Sequence, residues 1–484
     1  MQRVTRSAVI DAPVDRLWAV LRDFNSHAFW HPAIEASEIE GRDAGTQVGC
    51  VRSFALRDGN RLREQLLSLD DHAHTLTYCV LDGTLPLRRY VATLQVKSVT
   101  DGGRSFWHWS STFEAPPGRE AELALLVGGA VYQAGFDGMR AWLQHRGLAD
   151  ASATVRGSAR GQAVVLRAHG GADRLELVDI EVPPPGPGEV RLRQTAVGVN
   201  YIDVYIRNGA YAGMLALPGT PGMEAAGTVL DVGAGVTDFF PGDRVAYLSA
   251  VPGAYATART LDAGCVVRLP DDIGDEAAAS LMLKGITAQY LLHDLGRVGP
   301  GMRVLVHAAA GGVGLLVCQW ARALGAVVIG CVSTEAKARV AREHGCTHVI
   351  VTGDYRFADA VLQATGGHGA DLILDGLGDA AFEQNLRTLA TRGHWVSYGQ
   401  ASGALRALAP EALSAKSATF SRPVVFHYTA DPAELRQRAA RVFDAVRAGI
   451  LMPCVHHRYP LAAAAQAHAE LEARRTTGAL VLVI

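Results

Sequence analysis

The sequence predicts a multidomain chain: an α+β domain, then a β-rich segment, then an α/β domain with a parallel, doubly wound sheet. Three observations predict it. Residues 52–113 hold five runs of alternating apolar and polar residues parted by turn signals, residues 163–269 are again strand-like and rich in turns, and from about residue 285 strands alternate with helical periodicity. A chain of 484 residues exceeds the size of one core, and with 49% hydrophobic and 19% charged residues it can bury several.

The first domain is expected over residues 1–147. Strands are predicted at 52–56, 61–69, 75–81, 89–99 and 105–113, with turns at Arg57-Asp58-Gly59-Asn60 and Asp101-Gly102-Gly103, which reads as an antiparallel meander. One helix opens at Pro13 and carries Leu17, Trp18, Val20 and Leu21. A longer one, near 120–145, carries Leu123, Leu126, Val127, Tyr132, Phe136, Met139 and Trp142. A sheet curved around one long helix leaves an interior that Trp18, Trp107, Trp109, Phe113, Tyr132 and Phe136 can line, so a polycyclic or aromatic apolar ligand is expected there. A run of small residues without periodicity then predicts a linker over 148–160.

The α/β domain, expected from about residue 285 onward and ending at 424 by the resemblance given below, opens with the strongest local signal. From Arg303 to Gly314 the chain reads as a buried strand, a tight turn of small residues and a helix start. A dinucleotide diphosphate fits such a turn, because backbone N–H groups and the helix N-terminus both face the anion. Against the G-x-G-x-x-G pattern, Ala309 replaces the first glycine while Gly311 and Gly314 hold the others, so Ala310, Gly311, Gly312, Val313 and Gly314 are candidate cofactor residues. The second strand ends Cys331-Val332-Ser333-Thr334, with Val332 where an NAD site places an acid. Lys337 stands ready for a 2′-phosphate, with Ser333 beside it, which points to NADPH. The alternative makes Ser333 or Thr334 a helix cap and Lys337 a solvated face, and Glu335 weighs mildly against NADPH.

Three segments then carry a resemblance: Val199-Asn-Tyr-Ile-Asp-Val-Tyr-Ile-Arg-Asn-Gly-Ala-Tyr211, Leu283-Lys-Gly-Ile-Thr287 and His307-Ala-Ala-Ala-Gly-Gly-Val-Gly314. Residues 161–484 resemble the quinone oxidoreductases akin to zeta-crystallin, within the medium-chain dehydrogenase/reductase superfamily. The resemblance implies a GroES-like catalytic domain over 161–284 and 425–484, a Rossmann domain between them, NADPH as cofactor and a homodimer. By position it implies Asn200 and Tyr205 beside the nicotinamide, Thr287 near its carboxamide, Tyr398, Gly399 and Gln400 on the ring's other side, and Lys337 with Arg474 on the 2′-phosphate. Tyr201, Tyr205 and Tyr211 fall on the substrate side, with Tyr205 the candidate proton donor. The family's tyrosine near the 2′-phosphate falls at Thr352, so a looser adenosine end is expected.

Zinc-dependent relatives carry a cysteine, a G-H-E histidine and a four-cysteine lobe. Here stand Asn200 and Gly222-Met223-Glu224, and no such lobe exists, so no metal is expected. The expected reaction is direct hydride transfer from the nicotinamide to a quinone or related α,β-unsaturated carbonyl. An alkenal or enoyl-thioester reductase, or a non-catalytic NADPH-binding protein of the zeta-crystallin type, is the alternative.

In the first domain, Ser7-Ala-Val-Ile-Asp-Ala-Pro-Val-Asp-Arg-Leu-Trp18, Trp30-His-Pro32, Glu64, Trp109 with Phe113 and Tyr132 with Gly135 resemble the START-like, helix-grip polyketide cyclase/dehydrase and lipid-transport group. Glu64, Arg63, Arg88 and His108 are then the polar candidates for its cavity. A formal charge of -2 gives no reason to expect nucleic acid. No apolar run is long enough for a membrane span, the start does not read as an export signal, and seven scattered cysteines suit a reducing cytoplasm.

Overall fold

A computed structural model describes residues 1–41, 45–100, 103–145, 158–236 and 238–484. The expected linker, 148–160, lies for the most part outside the described residues, as does the boundary at 147. The chain forms two compact units.

The N-terminal unit is a seven-stranded antiparallel sheet. Its strands are β1 (Gln2–Ile10), β2 (Ile34–Ile39), β3 (Val51–Leu56), β4 (Arg61–Asp70), β5 (Thr75–Gly83), β6 (Arg88–Ser98) and β7 (Ser105–Glu114), in spatial order β1-β7-β6-β5-β4-β3-β2. The five anticipated strands are all present. β1 and β2 are new: both are edges, and their outward residues, among them Arg3, Thr5, Glu35 and Glu38, hide the hydrophobic alternation that marks an inner strand. The long helix is continuous but not uniform. Between Glu120–Leu126 and Ala134–His145 lies a π-helical stretch, Val127–Gln133. Gly128 sits in it against the side chains of Arg6 and Val4, where a larger residue would press on β1.

The aromatic residues expected to line a pocket are all buried, and Trp107, Trp109, Tyr132 and Phe136 lie in contact with one another. Ring centroids are 4.5 Å apart for Trp109 and Tyr132, 4.8 Å for Trp107 and Phe136, and 5.5 Å for Trp107 and Trp109. Of the four polar candidates only Glu64 points inward. There it pairs with the fully buried Arg52 at 2.5 Å, while Arg52 also donates to the Phe24 carbonyl and packs over the Phe24 ring. Arg63 and His108 are corrected to the other face, since strand side chains alternate and each lies between buried positions; Arg88 is corrected to an exposed position at the strand's start, where Arg89 at a φ of +49° and a register shift break the alternation. Arg63 is accordingly half-exposed and bridges Glu40 and Asp82.

The second unit begins with the hairpin Ala159–Leu166 and Leu175–Val182, followed by a largely antiparallel sheet containing Glu189–Val199, Glu224–Val232, Arg244–Leu248 and Val266–Arg268. The chain returns to this sheet at its end, where Ala479–Val483 pairs with Glu189–Val199. Between lies a six-stranded sheet in which every neighbouring pair is parallel, built from Arg303–His307, Val327–Val332, His348–Val351, Ala370–Asp375, Leu389–Ser397 and Thr419–Ser421. This is the doubly wound arrangement that the strand–helix alternation predicts. The helix Asp275–Tyr290 runs straight through the expected boundary at 284/285. It is buried on nearly every side because it packs against strands of the antiparallel sheet and against the helix Gly312–Ala323.

Candidate active site

The strand Arg303–His307 delivers the chain into a turn in which Ala308 adopts a φ of +49°, and Gly311 then caps the helix Gly312–Ala323. Small residues are required here. A Cβ on Gly314 would collide with the Ala308 carbonyl oxygen, and Gly330 on the next strand leaves room for the Ala309 methyl. The result is a helix N-terminus opening on a cleft, with its first N–H groups free of intrahelical partners.

Two adjoining cavities form that cleft, and they share Tyr201, Ala308 and Gly311. The larger, about 290 Å3, brings together Asn200, Tyr205, Tyr211 and Thr287 with the Gly311–Gly314 turn and with Tyr398 and Gly399. The smaller, about 150 Å3, gathers Ser333, Lys337, Arg474 and Ala310. Gln400 stands just behind: its backbone N–H donates to the Tyr205 hydroxyl at 2.9 Å. The candidate site residues therefore assemble along one groove, although they come from six separate stretches of chain.

At the smaller cavity, Gly478 N–H donates to the Ala310 carbonyl at 2.9 Å and ties the C-terminal segment to the dinucleotide turn. That tie carries Arg474 to Lys337, whose Nζ donates to the Arg474 carbonyl at 2.6 Å. Burial, together with the Arg474 charge, lowers the Lys337 ammonium from its ordinary range. The smaller cavity also contains a residue that sequence reasoning missed. Tyr355, three positions beyond Thr352, lies under the Arg474 guanidinium at 5.4 Å, and its shielded hydroxyl has no hydrogen-bond partner. Its φ of +62° is the reason it escaped notice, since no periodicity signals a left-handed non-glycine turn.

At the larger cavity, Tyr205 projects from the short helix Tyr201–Arg207, with the Tyr211 ring edge-on at 5.2 Å. Burial pushes the Tyr205 hydroxyl well above its ordinary range, so it keeps its proton. Arg422, also unforeseen, donates to the Ser397 and Gly399 carbonyls and to Gln400 Oε1, pinning the 397–400 loop. Asn200 caps the Tyr201–Arg207 helix; its backbone N–H donates to Asp203 Oδ2 at 2.8 Å and its amide to Glu224 Oε1 at 2.8 Å. Asp203 is fully buried, which drives its carboxyl up to about 7.

Among the described residues no three His, Cys, Asp or Glu side chains gather as metal ligands. Nor, among the described residues, is any helix long and apolar enough to cross a membrane.

A parallel sheet with a small-residue turn at its cleft, set into a GroES-like antiparallel sheet, defines a medium-chain dehydrogenase/reductase. Comparison with known proteins agrees. Residues 186–300 match the family model of the alcohol dehydrogenase GroES-like domain, 344–482 that of zinc-binding dehydrogenases, and 1–144 that of polyketide cyclase/dehydrase and lipid transport. The chain is 42% identical over 327 residues to a Burkholderia 2-haloacrylate reductase, covering 98% of it and 66% of this chain. It is 43% identical over 321 residues to a Pseudomonas aeruginosa quinone oxidoreductase, with the same coverages. The Escherichia coli quinone oxidoreductase, solved in complex with NADPH, superposes with a TM-score of 0.65 at 36% identity, over all of that chain and 67% of this one. The chain belongs to the quinone oxidoreductase family, with a polyketide cyclase/dehydrase-type domain fused at its N-terminus.

Proposed function

We propose that the second unit is an NADPH-dependent, metal-independent reductase that delivers hydride to a quinone or a related α,β-unsaturated carbonyl. One observation carries the reading: the cleft that receives a dinucleotide ends in Val332 where NAD would want an acid, and gathers Lys337, Arg474 and the unpartnered Tyr355 hydroxyl where a 2′-phosphate would lie. The groove fits the cofactor, since side chains at Gly311 and Gly314 would fill the turn.

Bound NADPH supplies a hydride from its nicotinamide C4. The rest is the work of the chain's own residues. The N–H groups of the Gly311–Gly314 turn would hold the diphosphate; Asn200 and Thr287 would hold the nicotinamide end; the 397–400 loop, pinned by Arg422, would back it. Ile202, Tyr211, Val424 and Phe426 give the substrate end an apolar wall suited to a flat acceptor and keep water out. Tyr205, which retains its proton, donates a hydrogen bond to the acceptor oxygen as negative charge builds there. The likeness to a 2-haloacrylate reductase keeps activated alkenes beside quinones as acceptors.

Steady-state NADPH oxidation against quinones, enones and enoyl thioesters, with chelator present throughout, tests the reading. Undiminished turnover in chelator is expected, with quinones or enones preferred. Tight NADPH binding without turnover on any acceptor would leave the non-catalytic alternative. Tyr205→Phe is expected to slow enone reduction by roughly 10²-fold and quinone reduction less, because a quinone delocalises its own oxyanion. Equal rates for Phe and Tyr on both substrates would make Tyr205 a wall of the cleft.

For the N-terminal unit we retain a ligand-binding role, narrowed by the packed rings to a compound able to part them. Trp107 Nε1 and His27 Nε2, buried and without partners, favour a ligand with hydrogen-bonding oxygens such as a phenol or aromatic ketone. Titration of the full chain with hydroxylated polycyclic aromatics, followed by tryptophan emission, should saturate, and Trp107→Phe should weaken it.

A further inference from the structure

Three donors converge on one fully buried carboxylate beside the cleft. Glu224 Oε2 accepts the Leu283 backbone N–H at 2.6 Å, while Oε1 accepts Lys284 Nζ at 3.0 Å and Asn200 Nδ2 at 2.8 Å. Lys284 is itself 5% exposed. Two glycines make room for the pair. A Cβ on Gly198 would overlap the Glu224 carboxylate, and one on Gly312 would sit 2.8 Å from Lys284 Cδ, so the lysine stem lies against the first residue of the dinucleotide helix.

The chemistry of the acceptor fixes the amide. An ionised carboxylate can only accept, so the group that Asn200 turns to Glu224 is its NH2, and the amide oxygen is the other end. A protonated Glu224 could donate and would tolerate either orientation. Lys284 is the cation that faces this buried carboxylate, at 3.0 Å. We propose that Glu224 and Lys284 are positioning residues, whose buried ion pair locks the Asn200 amide and so decides which of its atoms meets the nicotinamide end of the cofactor. The proposal rests on the reductase reading above, and it adds two residues that act through Asn200 rather than on the substrate.

The Glu224 charge also acts on Asp203, Tyr247 and Tyr255, the ionisable groups that face it from the neighbouring elements. Asp203, driven up to about 7, is the competing source of any acid limb and must be separated from Glu224.

The test compares the full chain with Lys284→Met, Glu224→Gln and the double variant. In Lys284→Met the carboxylate loses its cation and takes up a proton as the pH falls; kcat should then drop by roughly 10²-fold on the acid side and recover on the alkaline side, the size expected when a substrate-positioning group is displaced. Infrared difference spectra should show a carboxylic-acid stretch that grows with that limb. Both signals should vanish in the double variant, whereas anything due to Asp203 persists in it. Lys284→Met with the unaltered pH profile and no new acid stretch overturns the proposal, as does a limb that survives in the double. If Lys284→Met does not fold, Glu224→Gln decides alone: a reduced kcat supports the lock and an unchanged kcat refutes it. Absence of turnover in the unaltered chain would instead count against the reductase reading, and the infrared comparison would still test the ion pair.

Discussion

Changing Lys337 and Arg474 together to alanine is expected to remove most of the preference for NADPH over NADH. Each side chain can make a charge-assisted bond to a 2′-phosphate, worth about 1.5–3 kcal/mol. Arg474 is exposed and screened, which favours the lower figure, so the ratio of kcat/KM for the two cofactors should fall by roughly 10²-fold. The two losses should not add. Lys337 Nζ donates to the Arg474 backbone carbonyl, so Lys337→Ala also loosens the segment that carries Arg474, whereas Arg474→Ala keeps that carbonyl and leaves Lys337 in place. Tyr355→Phe should cost less, since it removes one neutral hydroxyl and leaves the ring under the guanidinium. Cofactor titrations of the single and double variants measure all three effects, and an unaltered chain that used NADH as well as NADPH would end this account of the smaller cavity.

The second large effect is expected in the N-terminal unit. Arg52→Ala leaves Glu64 buried without its cation, a loss of about 3–5 kcal/mol. For a domain of this size that corresponds to a fall of roughly 10 °C in its melting temperature. Burial already raises the Glu64 carboxyl, with Arg52 opposing the rise, so the mutant's protonated form should be favoured further. A group raised on folding contributes stability that is full below its unfolded value and is lost as pH rises through its folded value. The deficit of Arg52→Ala should therefore deepen toward alkaline pH. Pairing it with Glu64→Leu should recover much of the loss by removing the stranded charge. Near-ultraviolet circular dichroism, dominated by the tryptophan cluster, follows this melt, and NADPH oxidation at the same temperatures reports on the reductase unit. An Arg52→Ala chain that melts like the unaltered one would show that Glu64 is satisfied without its partner.

What the sequence made legible follows from how local each signal is. The dinucleotide turn could be read because its small residues are consecutive and its flanking strands and helix announce themselves by period. The inner strands of the first sheet could be read for the same reason, whereas its edges could not, because an edge strand such as Ile34–Ile39 buries little. Glu64 and Arg63 are neighbours of equal polarity, and only the register of β4 decides which faces the core. Glu224 and Lys284, 60 positions apart, meet only after the sheet and the long helix have packed, and nothing near either residue foretells it. Tyr355 depends on one backbone turn. Composition and period reveal scaffold and cofactor class; pairings across distant segments belong to the tertiary fold.

The helix Asp275–Tyr290 has a consequence for recombination among such reductases. A crossover at 284/285 would divide it between parents and separate Lys284, which meets Glu224 of the antiparallel sheet, from Thr287, which lines the cofactor groove. Chimeras joined there should inherit mismatched halves of one buried surface and express poorly. Joints placed in the turn before Gly274, or beyond Gly296 where the π-helical end Leu291–Leu295 has closed, keep the helix whole. The exchangeable piece in a cofactor-domain swap is thus longer than the sheet itself, and it carries the buried helix Asp275–Tyr290 with it.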